Sequence, residues 1–560
     1  MLAGMRRALV DAGIALALAA AAWVLYVSVL RLWWTHDDFF HLRYLLTRRP
    51  FWYLFDASVH RELPGRVLTP WLFLSIDLDR RLFGLEPHAF YVHQLAALSV
   101  CVAALYGVAR LWLARVWAAI AVWIFLIGPV TASLASMLMV RHYVETIVLA
   151  ALSVAAWARA VRGPPRAWRW AWLSAALYFA ACMAKEIAVP LFVLLPLLPA
   201  PGPRRAGVRE RIRRALPHAF ASAVYLVLRY VLLGALFTGY GFAVRLSDVP
   251  ALALELPAKI AGELVGGRAS VAAIVFALAL VAGITTLLLF PRGRRAGALV
   301  CCALLLAMLP VLPVSTRMEP RYAVAAWIVI AVAFAVGCGT LAAAGRRTVA
   351  VVVAVVACAS GPWLNREDWR VRFATVERMS AENRFVLEMK DGDVLRQPLT
   401  LAASLGELAW MKEAVYGRPR GGRWFQDDLF LCLHPDPLGR VWGYDTDAGR
   451  VVDLTARIPD ARNQYCSAIR SDAPLTASFR VAGTDLFWDL GPHRAGRYRF
   501  VLDDGRMIFE IPRSAGFRMR GREALLTLRI GYESPAGWVT YSPELPLRFV
   551  DGWTLHWSRP

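Results

Sequence analysis

Eleven apolar runs occupy the first two-thirds of the chain. They lie at about residues 10–32, 89–111, 116–133, 141–159, 170–184, 187–200, 216–237, 269–291, 296–314, 321–344 and 348–364. A bilayer core about 30 Å thick needs roughly 20 apolar residues per helix, so most of these runs are long enough to cross it. The two short runs on either side of Lys185-Glu186 are also compatible with a bent or re-entrant unit. The pattern predicts a polytopic α-helical membrane protein with about eleven transmembrane helices.

The gaps between the runs predict the orientation, because arginine in short loops marks the cytoplasmic side of a membrane protein. Arg6 and Arg7 precede the first run, and every second gap after it is rich in arginine. These gaps contain Arg110 and Arg115; Arg159, Arg162, Arg166 and Arg169; Arg204, Arg205, Arg209, Arg211, Arg213 and Arg214; Arg292, Arg294 and Arg295; and Arg346 and Arg347. We therefore expect a bacterial inner-membrane protein with a cytoplasmic N-terminus and an extracytoplasmic tail.

The same distribution explains the overall charge. The net charge is +22, and 58% of the residues are hydrophobic. A basic chain often binds nucleic acid, but most of the arginines in the first two-thirds of this one lie in membrane loops. The lipid bilayer is therefore the expected partner, and nucleic acid is not.

The composition changes at about Asn365, so residues 1–364 are predicted to form the membrane domain and residues 365–560 a soluble domain. The soluble part first shows helical patterns at 376–390 and 401–416. It then alternates apolar with polar residues on both sides of Asp504-Gly505, which is a strong hairpin signal. These patterns predict a mixed α/β domain that is β-sandwich-like at its end. Its two cysteines, Cys432 and Cys466, could pair in an oxidising compartment, although the sequence does not show that they meet.

An acidic pair lies at the start of the predicted first outer loop, residues 33–88, in the segment His36-Asp37-Asp38-Phe39. Two adjacent carboxylates at a membrane surface are costly to keep ionised unless they bind something. One of them could deprotonate an acceptor hydroxyl. We slightly prefer Asp38, which precedes two aromatic residues, with Asp37 as a positioning group or alternative base. The alternative is a solvated acidic turn.

Several further charged residues fall on the same predicted outer face. They are Arg141, His142 and Glu145 at the start of the fourth run; Lys185 and Glu186 between the fifth and sixth; Arg229 in the seventh; and Arg317, Glu319, Arg321 and Tyr322 before the tenth. Charged residues within membrane segments are functional candidates by default. The alternatives are structural ion pairs, a snorkelling arginine and an interfacial anchor.

Cations on one face could hold an anionic lipid phosphate, and a carboxylate on the same face could act on the acceptor. The candidates for holding the phosphate are Lys185, Arg321, Arg141 and Arg229. His36, Arg66, His142, Glu145, Glu186, Arg317, Glu319 and Tyr322 are supporting candidates.

Five short motifs between Asp37 and about Leu341 carry a family resemblance. They are Asp37-Asp38; Arg66-Val67-Leu68-Thr69 with Leu82-Phe83-Gly84-Leu85-Glu86-Pro87; Glu145 with Trp157 and Arg159; Lys185-Glu186 followed by Pro190; and Glu319-Pro320-Arg321-Tyr322. In this order they resemble motifs of the GT-C superfamily of polyprenyl-phosphate-sugar-dependent glycosyltransferases. They look closest to the transmembrane and tetratricopeptide-containing O-mannosyltransferases and their bacterial relatives. This chain departs from that pattern at Val67, which replaces a proline, in one residue inserted before Arg321-Tyr322, and in a tail without the repeats.

The resemblance implies an inverting transfer of a hexose or pentose from a polyprenyl-phosphate donor on the non-cytoplasmic face. The acceptor stays open between a glycan, a lipid and a protein. No cofactor is certain, and a divalent metal is conceivable but not favoured. The alternatives are a lipid or glycan transporter or flippase, a non-catalytic protein with a partner-recruiting tail, and a lipid-linked phosphotransferase.

Overall fold

The computed structural model of the chain forms two compact units. It describes residues 2–48, 53–62, 67–163, 167–202, 207–236, 249–264, 270–291, 293–398, 402–418, 423–434, 439–483, 485–518 and 525–560. The membrane unit contains Met1–Leu32 and Tyr44–Val376, and the C-terminal unit contains Trp33–Arg43 and Glu377–Pro560. The acidic pair Asp37-Asp38 therefore belongs to the C-terminal unit.

Most α-helices of the membrane unit coincide with the apolar runs. The helices of this unit are α1 (Leu2–Tyr26), α3 (Ala57–Glu62), α4 (Pro70–Phe83), α5 (Pro87–Ala109), α6 (Arg115–Leu126), α7 (Pro129–Ser136), α8 (Arg141–Val161), α9 (Ala167–Ala184), α10 (Leu191–Leu194), α11 (Val208–Leu233), α12 (Val249–Leu264), α13 (Val271–Leu289), α14 (Arg294–Met308) and α15 (Val324–Ala343). Of these, α3, α4 and α12 lie between runs. The long helix α16 (Arg347–Glu388) begins in this unit and continues into the next. The predicted domain boundary at 364/365 lies inside α16, where the helix continues although the composition changes.

The architecture is that of a polytopic membrane protein. Among the described residues, eight helices are long and apolar enough to cross a membrane, or nine if the bent pair α6 and α7 is one span. The two short runs beside Lys185 form α9 and a broken apolar segment, Glu186–Leu197. The count of about eleven spans therefore stays a prediction.

Small residues allow α13 and α15 to approach closely. A Cβ atom at Gly337 of α15 would collide with the backbone carbonyl of Gly283 in α13. Without a hydrophobic drive between helices in lipid, this close packing is a main source of their association.

Polar side chains join α8, α9 and α11 inside the bundle. The Ser174 hydroxyl bonds Ser153 and lies 2.8 Å from Nε2 of His218, and the Tyr178 hydroxyl lies 2.7 Å from that of Ser222. Hydrogen bonds between membrane helices fix their rotation and register, since their partners would otherwise face hydrocarbon. These contacts orient the ends of α9 and α11; Lys185 directly follows α9, and Arg229 lies near the end of α11.

The C-terminal unit begins with a small sheet. Its helices besides the end of α16 are α2 (Asp38–Thr47), which starts in this unit, α17 (Ala402–Ala414), α18 (Leu429–Leu433) and α19 (Ile458–Ser467). The first sheet contains β1 (Val394–Arg396), β2 (Arg423–Phe425), β3 (Val441–Asp445) and β4 (Arg450–Asp453), in the order β2-β1-β3-β4. The predicted helices at 376–390 and 401–416 correspond to the end of α16 and to α17.

A β-sandwich ends the chain. Its strands are β5 (Leu475–Ala482), β6 (Asp485–Gly491), β7 (Arg497–Leu502), β8 (Met507–Ile511), β9 (Ser514–Arg518), β10 (Leu525–Glu533), β11 (Val539–Tyr541), β12 (Leu545–Arg548) and β13 (Thr554–Arg559). One sheet has the order β11-β10-β7-β8 with β12 also paired to β10, and the other has the order β13-β5-β6-β9. Alternate residues of both sheets, among them Phe479, Trp488 and Ile530, share one core.

The predicted hairpin is confirmed in this unit, and the structure also answers whether Cys432 and Cys466 pair, which the sequence left open. Strands β7 and β8 pair as an antiparallel hairpin, with Leu502 opposite Met507 and the turn at Asp503–Gly505. Cys432 and Cys466 form a disulfide, with 5.9 Å between their Cα atoms.

Candidate functional site

A cavity of about 390 Å³ opens in the membrane unit where α9 ends. Its walls are mostly apolar and come from the segment after α9, from α11, and from residues 306–314. Apolar wall residues include Ile187, Val189, Phe192, Val193, Leu226, Leu306, Leu309 and Val311. The charged residues of the wall are Lys185, Glu186 and Arg229. An apolar chamber with charges concentrated at one place suits an amphipathic ligand with an anionic head.

A break in the helix places Lys185 and Glu186 in this wall. Helix α9 ends at Ala184, Lys185 is extended with φ −157° and ψ 137°, and a short 3₁₀ turn follows at Glu186–Ala188. Pro190 then prevents a regular continuation, since it has no N–H to donate. A continuous helix would have pointed these adjacent side chains in directions about 100° apart.

The Glu186 carboxylate pairs with Lys185 and lies near Arg229. Its oxygens lie 2.9 Å from Nζ of Lys185 and 4.0 Å from a guanidinium nitrogen of Arg229. The three groups together carry one net positive charge, so the cavity is attractive to an anion. Sequence reasoning named the pair Lys185-Glu186 and, separately, Arg229 on the same predicted face, and the structure places all three in one cavity wall.

Two tyrosines that sequence reasoning did not select complete this cationic group. Nζ of Lys185 lies 5.2 Å from the ring centroid of Tyr143, and Arg229 donates to the hydroxyl of Tyr225 at 3.3 Å. Both tyrosines line the cavity. The signal that could have identified them is their proximity in the sequence to Arg141-His142 and to Arg229.

The segment Glu319–Tyr322 contributes Tyr322 to the cavity wall, whereas Arg321 is not a wall residue. The Arg321 guanidinium is buried, donates to Glu319 at 2.9 Å and to the Tyr322 hydroxyl at 3.2 Å, and lies over the Tyr322 ring. Arg321 therefore fixes Tyr322, and Glu319 compensates its charge.

Arg141 lies in a different buried cluster. Its side chain is fully buried and forms an ion pair with Asp79. It also donates to Gln94 at 3.0 Å and to the carbonyl of Phe90 at 2.8 Å. A buried arginine with this many acceptors is held by the protein itself.

The two neighbouring candidates lie close to Arg141 on α8. Glu145 lies where the charges of Arg141 and Asp79 act on it, and His142 is buried beside Tyr143. None of these three candidates is in the wall of the cavity.

The acidic pair lies in the C-terminal unit, in a turn held by the end of α16. The backbone N–H of Trp33 donates to Ser380 at 2.6 Å, and Asn383 donates to the carbonyl of Trp34 at 2.9 Å. His36 has φ +47°, a conformation uncommon for residues other than glycine, and its backbone N–H faces the sulfur of Met379.

Within this turn the two carboxylates differ in exposure. Asp38 is 4% exposed, and its Oδ2 accepts from the backbone N–H of Thr35 at 2.8 Å. Asp37 is half-buried, and its backbone carbonyl lies 2.8 Å from Nδ1 of His41. Burial lowers the pKa of His41. Asp38 thus shapes the turn, while Asp37 presents the more accessible carboxylate.

Two supporting candidates cannot be placed. Arg66 lies outside the described residues, and so does the side chain of Arg317. Among the residues that the structure describes, no three His, Cys, Asp or Glu side chains are grouped to hold a metal ion.

No protein-family model and no curated protein sequence matches the chain. Solved structures do resemble it. The oligosaccharyltransferase of Archaeoglobus fulgidus is 12% identical with a TM-score of 0.39, covering 73% of this chain and 64% of its own. ArnT from Cupriavidus metallidurans in the apo state is 14% identical with a TM-score of 0.40, covering 82% and 95%. The arabinofuranosyltransferase AftD from Mycobacteria is 15% identical with a TM-score of 0.39, covering 90% and 40%.

These neighbours are members of the GT-C superfamily, at low sequence identity to this chain. The similarity to tetratricopeptide-containing O-mannosyltransferases stays an expectation. The chain spans less than two thirds of the A. fulgidus enzyme. Because such TM-scores carry no argument about activity, we base the functional proposal on the residues of this chain alone.

Proposed function

We propose that the protein is a membrane glycosyltransferase that takes its sugar from a polyprenyl-phosphate donor on the non-cytoplasmic face. The observation that carries the proposal is the cavity of the membrane unit, which combines apolar walls with Lys185, Arg229 and Glu186. A polyprenyl phosphate has the matching chemistry, a long hydrocarbon chain with an anionic head.

In this proposal Lys185 and Arg229 bind the donor phosphate. As the bond between sugar and phosphate breaks, negative charge develops on the phosphate, and fixed cations stabilise that charge. Glu186 holds the two cations in place before the donor arrives, and Tyr143, Tyr225 and Tyr322 shape the head of the cavity. Arg321 acts through Tyr322, and Arg141 with Asp79 is structural.

The reaction also needs a base, because the acceptor hydroxyl is a weak nucleophile until it loses its proton. We assign this role to the acidic pair. Asp37 is the base because its carboxylate is the more accessible of the two, and Asp38 positions the turn through Thr35. This reverses the slight preference for Asp38 that the sequence suggested. The attack would proceed with inversion at the sugar.

The experiment compares cells with and without the gene, using mass spectrometry of surface glycans, glycoproteins and polyprenyl-linked sugars. Without the gene, one sugar substituent should disappear from the cell envelope while its lipid-linked donor accumulates. The Lys185→Gln and Asp37→Asn variants, supplied in place of the wild type, should reproduce this result.

The control is Lys259→Gln. Lys259 pairs with Glu255 at 2.9 Å on α12 and is not in the cavity wall, so this variant removes a cation without touching the proposed site. If the envelope and the lipid pool are the same with and without the gene, the protein is not this transferase. If the donor accumulates only on the cytoplasmic side, it is a flippase instead.

A further inference from the structure

A second cleft lies in the β-sandwich, at the open end of the hairpin formed by β7 and β8. Its volume is about 420 Å³. Its lining residues are Arg494, Gly496, Arg497, Tyr498, Glu510, Ile511, Pro512 and Arg513. Three arginines and one glutamate give this small cleft a net charge of +2, and nothing in the proposed transfer reaction uses it.

Two of the three arginines, Arg497 and Arg513, are held in position by hydrogen bonds. Arg497 donates to Glu510 at 3.1 Å and to Glu533 at 2.8 Å. Nε of Arg513 donates to the carbonyl of Leu490 at 2.8 Å, which fixes the plane of its guanidinium. Arg494 lies on the exposed turn before β7. A fixed guanidinium binds carboxylate and phosphate groups well, because its planar array of N–H donors matches them and little entropy is lost.

The turn that carries Arg494 is itself fixed. Gly496 has φ +95°, and a Cβ atom there would collide with the Tyr532 ring and the Glu533 carbonyl. The Tyr498 hydroxyl donates to the carbonyl of His493 at 3.0 Å, and the His493 ring stacks on Tyr532 with 4.1 Å between centroids. The cleft is therefore preformed.

The lining also indicates which anion fits. Among its described lining residues, Ile511, Pro512 and Tyr498 are the apolar ones, and the other five are four charged residues and one glycine. This differs from the apolar cavity of the membrane unit. Arginine and glutamate side chains together can bind both the charged group and the hydroxyls of a sugar.

We propose that this cleft is a binding site for an anionic saccharide, one that carries a carboxylate or a phosphate group. Such a site would hold a charged cell-envelope polymer at the C-terminal unit. Binding does not require the transfer reaction, so it is measured without any donor, and its failure would leave the proposed transferase untouched.

The test uses the purified full-length protein in detergent and saturation-transfer NMR with glucose 6-phosphate, glucuronate and glucose. The two charged sugars should bind at least about 10-fold more tightly than glucose, since charge-assisted hydrogen bonds supply the difference. Arg494→Gln and Arg513→Gln should each weaken their binding by roughly 10-fold or more. Arg480→Gln, which alters an exposed arginine on β5 of the other sheet, should leave binding unchanged.

Glycerol phosphate separates a sugar site from a site for any phosphate, such as a lipid headgroup. The proposal requires that it binds more weakly than glucose 6-phosphate. Equal binding of glycerol phosphate, equal binding of glucose, undetectable binding of both charged sugars, or full binding by Arg494→Gln would each overturn it. Arg494 is exposed, so its variant remains informative even if Arg513→Gln does not fold.

Discussion

At the residue scale, the structure separates the two carboxylates that the sequence presents as a pair. Asp38 is occupied by the backbone N–H of Thr35, and Asp37 is the more exposed. A functional base must reach its substrate, and a positioning carboxylate must not leave its turn. Their roles therefore lead to different expectations for the same Asp→Asn change.

We expect Asp37→Asn to fold and insert normally but to lose transfer by roughly 10²–10⁴-fold, the usual contribution of a general base. Asp38→Asn keeps an oxygen that can accept from Thr35, so it should lose less activity. The measurement is initial transfer rate in membranes with equal protein. If Asp38→Asn lost transfer activity while Asp37→Asn kept it, Asp38 would be the base instead.

Arg141 gives the second expectation at this scale. Arg141→Met leaves the buried Asp79 carboxylate without its guanidinium partner and with Nδ1 of His93 beside it at 2.6 Å, which should destabilise the protein by up to about 3–5 kcal/mol. Arg141→Met/Asp79→Leu removes both charges and should recover most of that loss. Thermal unfolding in detergent measures both variants. A double variant that is stable yet inactive in transfer would show that Arg141 binds the donor.

At the element scale, the sequence predicts local periodic structure well, but it does not predict which distant residues come together in the fold. The hairpin β7–β8 could be predicted because alternation and Asp504-Gly505 act locally. The partners of Arg141 could not, because Asp79 and Gln94 come from α4 and α5 and only packing brings them to α8. Likewise, the sequence indicates that the chain is irregular after α9. It does not indicate that this break brings Lys185 and Arg229 to the same carboxylate, that of Glu186.

The close approach of α13 and α15 also belongs to this scale. Gly337→Val should separate the two helices, because its side chain would enter the space of the Gly283 carbonyl. The matched control is Gly107→Val on α5, since a Cβ atom at Gly107 has no neighbour within 4 Å. We expect a lower unfolding temperature and lower yield for Gly337→Val only. Equal behaviour of the two variants would contradict the packing assigned to this pair.

At the scale of the whole molecule, the arginine pattern predicts an extracytoplasmic C-terminal unit. A disulfide between Cys432 and Cys466 suits an oxidising compartment, where such bonds persist. Alkaline phosphatase, which is active only outside the cytoplasm, should be active when fused after Pro560. A fusion after Arg162, in a predicted cytoplasmic loop, should be inactive. The opposite pair of results would invert the proposed topology.

Lipid-phosphate binding in the membrane unit is the central claim, and native mass spectrometry tests it most directly. Purified wild-type protein should retain an added polyprenyl phosphate. Lys185→Gln/Arg229→Gln should bind it at least about 10–100-fold more weakly, because two charge-assisted contacts are lost. Lys259→Gln should match the wild type, since Lys259 is outside the cavity wall. Wild-type affinity in the double variant, with the protein intact and folded, would contradict the claim.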